Sequence, residues 1–115
     1  LELSRRLDFT AVFAANDEMA LGLLHGFRDI GLELPRQLSV VGFDDIPLAR
    51  HGWPPLTTVH QNFAGLGERA VGALLAAIAG NDASSDAAGA PRAEPEVAPR
   101  LVVRDSAAGP VAHRK

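Results

Sequence analysis

The chain has 115 residues, 47% of them apolar, which suits one small packed domain and excludes an intrinsically disordered chain. Its 11 Lys and Arg against 14 Asp and Glu leave a formal charge of −3 with no basic stripe, which argues against direct grip on a phosphate backbone. Cysteine is absent, so disulfide frameworks, thiolate metal sites and a cysteine nucleophile are excluded.

In chain order, residues 1–8 carry Glu2, Arg5, Arg6 and Asp8 and lack the apolar run of a signal peptide. No stretch reaches the roughly 20 apolar residues of a membrane-spanning helix. A soluble, cytoplasmic chain with no membrane partner is the expectation. Residues 9–15 (FTAVFAA) form a nearly continuous apolar run, the pattern of a strand buried on both faces of a parallel sheet. Asn16, Asp17 and Glu18 then supply a polar cap and an acidic first turn. Met19, Ala20, Leu23, Leu24, Phe27 and Ile30 recur at helical spacing, and Gly31 is a suitable stop. Leu34-Pro35 marks a turn, and residues 38–43 (LSVVGF) predict a second strand.

Such a strand-helix-strand unit places its strands parallel, with their carboxyl ends on one edge. Asn16-Asp17 and Asp44-Asp45 therefore leave the sheet toward the same crevice, where open α/β sheets bind ligands. Residues 46–52 suit a short helix or turn, and Trp53-Pro54-Pro55 interrupts regular structure before the extended segment 56–61. Phe63, Leu66, Ala70, Val71, Leu74, Leu75 and Ile78 trace an apolar helical stripe that ends near Gly80 and needs a partner surface. Residues 81–99 turn to Ala, Ser, Asp, Gly, Pro and Glu without period, as a flexible loop would. Residues 101–103 suit one short final strand, and the tail 107–115 carries no structural signal.

The segments AVFAANDEMALGLLHGFRDIGLELP, SVVGFDDIPLARHGWPPLTTVHQNFAGLGERAV and PRLVVRDS, in this order, resemble the C-terminal blocks of LacI/GalR transcriptional regulators over about residues 9–106, linker excepted. The resemblance implies an α/β fold, a parallel sheet with flanking helices forming part of a type I periplasmic-binding-protein-like core. It further implies this division: 1–61 for the C-terminal effector-binding subdomain and crossover, 62–80 for a helix of the N-terminal subdomain, 81–99 for a loop, 100–106 for a returning strand and 107–115 for a tail. The family's helix-turn-helix headpiece has no counterpart in the sequence.

By the same resemblance Asn16, Asp44, Gln61 and Phe63 face a small effector, a sugar or metabolite, and Leu21, Gly52 and Trp53 contribute to a homodimer contact. Gly52 stands where some relatives carry a bulky side chain. Carboxylate and carboxamide suit polyol hydroxyls because they make paired, partly charge-assisted hydrogen bonds. Each residue also has a plainer role open to it. Asn16 and Asp17 suit helix capping, Asp44 and Asp45 a strand-to-loop turn, Phe63 helix packing, and Trp53 cover for a local apolar edge.

A transcription regulator that reaches DNA only through a headpiece outside this sequence fits these residues best. A periplasmic-type solute-binding protein is the alternative. No metal, cofactor or catalytic residue is expected. His25, His51, His60 and His113 lack ligand spacing, the serines lack G-x-S-x-G, and G-x-G-x-x-G and P-loop patterns are missing.

Overall fold

The computed structural model describes residues 9–80 and 98–109; the expected loop 81–99 and tail 107–115 lie largely outside them. The chain divides into two compact units, Leu1–His60 with Arg100–Lys115, and Gln61–Pro99.

The first unit is built on a four-stranded sheet in the order β1 (Ala11–Phe13), β2 (Ser39–Asp44), β3 (Thr57–His60), β4 (Arg100–Val102). β1 pairs parallel to β2 with Phe13 opposite Val41. β2 pairs parallel to β3 with Asp44 opposite His60, and β4 runs antiparallel with Arg100 opposite His60. The crossover from β1 to β2 is α1 (Asp17–Asp29), entered through an N-cap at Asn16 and left through Gly31 at φ +82. Only a residue without a side chain takes that left-handed backbone at no steric cost. A single 3-10 turn, Pro47–His51, joins β2 to the segment before β3.

One face of the sheet holds the core. Ala20 and Leu24 of α1 meet Ala14, Val40, Ala49 and Leu56, with Leu21, Leu23, Phe27, Leu34 and Ile46 packed around them. Burying each large member contributes roughly 1.5 to 3 kcal/mol. Gly42 lets α1 approach. A Cβ built there would lie 2.2 Å from Asp17 Oδ1 and 2.9 Å from Leu56 Cδ2, so any side chain would drive the helix off the sheet.

The 9–15 run does not become a strand buried on both faces. β1 has three residues, stands at the sheet edge and leaves Phe13 63% exposed, in edge contact with Phe43 at 6.3 Å between ring centroids. An apolar run reports hydrophobicity, whereas burial on the second face needs a second layer, and α1 covers only one. The sheet is mixed rather than wholly parallel, because β4 returns antiparallel.

The segment after β4 is stitched to the sheet by side-chain hydrogen bonds. The buried Ser106 hydroxyl donates to Val40 O (2.6 Å) and accepts from Thr57 N (2.8 Å), so it bridges β2 and β3. Ser39 Oγ accepts from Ala108 N at 3.1 Å.

In the second unit, α2 (Phe63–Ile78) begins at Asn62, whose side chain accepts from Gly65 N at 3.0 Å. None of its residues is buried, and the expected apolar stripe, Leu66, Val71, Leu74 and Ile78 included, is exposed.

Candidate functional site

Because β1, β2 and β3 are parallel neighbours, their carboxyl ends share one edge. Asn16 follows the end of β1, Asp44 is the last residue of β2 and His60 the last of β3, so the fold delivers all three to that edge. Asn16 and Asp44 are both half-buried. Gln61 and Phe63 belong to the second unit. Gln61 is half-buried directly after β3, and Phe63 is the first residue of α2, 54% exposed.

Asn16 caps α1: its Oδ1 accepts from Met19 N at 2.8 Å, which leaves its amide NH2 to donate elsewhere. Asp17 was a candidate for the same capping role, and the structure corrects this. It lies one residue inside the helix, fully buried, and reaches away from it. Its Oδ1 accepts from Thr58 Oγ1 on β3 (2.5 Å) and its Oδ2 from Ile46 N in the loop after β2 (2.9 Å). A buried carboxylate is tolerated when its oxygens are so satisfied. Asp17 thus ties the start of the helix to both strand ends.

Asp44 and Asp45 take positive φ, 114° and 56°. For non-glycine residues such conformations cost about 1 to 3 kcal/mol each and persist only where surrounding contacts enforce them. Those contacts converge on Asp45. Arg104 Nη2 donates to Asp45 Oδ1 at 2.6 Å, and His60 Nδ1 lies 2.9 Å from Oδ2. An ionised carboxylate only accepts, so the ring hydrogen sits on Nδ1. Arg104 is held in turn by Nη1 donating to Leu56 O at 2.7 Å, and Asp45 N makes a long 3.4 Å bond to Thr58 Oγ1. Burial pushes the Asp45 carboxyl up, but the hydrogen bonds and charges of Arg104 and His60 outweigh it and hold the group below the usual carboxylate range.

The sequence singled out Asp44, but neither Arg104 nor the pairing role of His60. Their separations from Asp45, 59 and 15 residues, give no periodic signal.

The three candidates for an interface meet at the opposite edge. Leu21, Gly52 and Trp53 line one depression of about 170 Å³ with His25 and Arg28, and Trp53 is 77% exposed. A Cβ on Gly52 would stand 2.9 Å from Leu21 Cδ2, so the leucine occupies the room that a larger residue at 52 would need. A wider cleft of about 340 Å³ adjoins it, between Arg28, Leu32, Leu34, Trp53, Pro54 and Asp105. These residues flank the helix end, the entry to β3 and the exit from β4, which puts the cleft at the amino edge, away from Asn16 and Asp44. Among the described residues no group of three or more His, Asp or Glu is placed to hold a metal ion.

A model of the periplasmic binding protein-like domain matches residues 2–107. The chain belongs to that family. Within it the sequence is of the LacI/GalR type. It is 46% identical over 101 residues to the HTH-type transcriptional regulator MalR of Streptomyces coelicolor, covering 88% of this chain and 27% of MalR. It is 49% identical over 78 residues to the regulator GalS of Salmonella typhimurium, covering 68% of this chain and 23% of GalS. Among solved structures, a complex of the transcriptional regulator CelR with cellobiose superposes with a TM-score of 0.73 at 34% identity, covering 90% of this chain and 30% of that one. The lac repressor dimer bound to operator and an anti-inducer gives 0.70 at 34% identity, covering 87% and 32%. The chain therefore spans about a quarter of the length of these curated relatives. No helix among the described residues is long and apolar enough to cross a membrane.

Proposed function

We propose that this chain is the C-terminal part of the effector-sensing core of a LacI-type transcription regulator. Its carboxyl-edge residues contact a sugar or similar small metabolite, while DNA is reached through a helix-turn-helix outside this sequence. The observation that carries the reading is the arrival of Asn16 and Asp44 from adjacent parallel strands at one edge, in a sequence whose relatives are regulators. A carboxylate beside a carboxamide can accept from one hydroxyl and donate to its neighbour, which fits adjacent hydroxyls on a sugar ring. The effector would act by favouring one of two arrangements of a homodimer, in which Leu21, Gly52 and Trp53 lie at the subunit contact. Such a regulator works in the cytoplasm.

Titration of the 115-residue chain with cellobiose and with sucrose, followed by sugar-observed NMR, tests this. A sugar bound by the wild type should bind at least about tenfold more weakly to Asp44→Ala, the equivalent of one charge-assisted hydrogen bond. Equal affinity of the two proteins would remove Asp44 from the site. The matched family's description keeps a periplasmic-type solute-binding protein as the second reading. Coding sequence upstream and in frame decides between them, with a helix-turn-helix favouring the regulator and a signal peptide the transport protein.

A further inference from the structure

Two consecutive residues just after β2, Asp45 and Ile46, are held by three separate anchors. Asp45 N reaches Thr58 Oγ1, Ile46 N donates to the buried Asp17, and the Asp45 carboxylate takes Arg104 on one oxygen and His60 on the other. The Asp45 and Arg104 side chains are themselves only 10% and 17% exposed. Leading into these anchors, Asp44 and Asp45 adopt two successive positive φ angles, with no glycine at either position to accept them without strain. The strained pair sits at the ligand edge rather than at the other end of the sheet. Backbone strain enforced from several directions at a candidate site is the pattern of a pre-organised contact.

We propose that Asp45 is a positioning residue: its carboxylate, clamped by Arg104 and His60, holds the left-handed turn that sets Asp44 at the ligand edge. The inference rests on Asp44 being a ligand contact, as proposed above. The clamp is built from three distant pieces of chain, the ends of β2 and β3 and the segment after β4, so Asp44 is placed only once all three are assembled. Arginine suits this position because its planar fork reaches Leu56 O with one nitrogen and Asp45 with another, which the single ammonium of lysine does poorly.

Two measurements on the 115-residue chain test the proposal. The first is the intraresidue H–N to Hα cross-peak of residue 45, strong when φ is near +56° and weak when φ is negative. It should fall in Asp45→Asn and in the milder Arg104→Lys while cross-strand peaks between β2 and β3 persist. An unchanged cross-peak in both variants overturns the proposal. The second is a double-mutant cycle on affinity for cellobiose or sucrose. Asp45→Asn should weaken binding roughly tenfold in the wild-type background and have little effect once Asp44→Ala is present. A residue that merely stabilises the fold would weaken both backgrounds alike, and that result overturns the proposal too. Should the wild-type chain take up neither sugar, the sensing reading is what fails, and the cross-peak alone decides whether Asp45 holds the turn.

Discussion

Asp17 shows how much one side chain contributes when it is buried and fully paired. Replacing it with alanine removes two hydrogen bonds and leaves the buried Thr58 hydroxyl and the half-buried Ile46 N–H without this partner. Each unsatisfied buried group costs about 1 to 3 kcal/mol, so Asp17→Ala should lose roughly 3 kcal/mol in urea unfolding, against well under 1 kcal/mol for the exposed neighbour Glu18→Ala. Asp45 makes a different prediction, because its folded-state affinity for protons is lowered. A carboxyl held below its ordinary 3.8 contributes stability that is fully present above that value and disappears as pH falls through the lowered one. Wild type should therefore lose stability faster than Asp45→Asn as the solution is taken below about pH 4. Parallel acid limbs for the two proteins in thermal melts would contradict the clamp.

Elements and their placement differed in legibility. The bounds of α2 are those of its apolar stripe, because the 3.6-residue period marks them, while the cap at Asn62 came from the structure. β2 falls within one residue of its apolar run and β3 within one residue of the extended segment 56–61, and placing Asn16 and Asp44 on one edge needed only the parallel-crossover rule. Hidden features depended on tertiary pairing. The edge position of β1 follows from which strands find each other, and the role of Asp17 from a threonine 41 residues away. Ser106 gave no sign that it bridges two strands. Burial makes a sharp contrast between leucines of equal hydrophobicity. Leu56→Ala empties core volume and should cost about 2 to 5 kcal/mol, whereas Leu74→Ala, on the exposed face of α2, should change unfolding of the monomer, at concentrations below those of association, by no more than about 0.5 kcal/mol. Comparable losses for the two in the dilute monomer would contradict the exposure of α2.

For the whole molecule, apolar side chains at the surface are the dominant physical fact. Phe13, Leu101 and Val103 lie exposed around the sheet, Trp53 at its amino edge, and Leu66, Val71, Leu74 and Ile78 along α2. Water disfavours exposed apolar surface of this kind, and mass action gives a route to bury it. The isolated chain should associate at micromolar concentrations. Sedimentation velocity across a hundredfold dilution series checks this, with a single monomeric boundary throughout as the contrary result. Trp53, the sole tryptophan, gives a second readout, since its emission should shift to the blue with concentration if its edge is covered.

The strap from Arg100 to Ala108 also sets the order in which the molecule can be made. Val40, Thr57 and Asp45 take partners that lie some 50 to 65 residues later in the chain, so these ties close long loops and can form only after β1, β2 and β3 have been made. The core residues, from Ala14 to Leu56, and the β2–β3 ladder are thus all drawn from the earlier chain, and the later strap adds a second set of ties across a seam that is already paired.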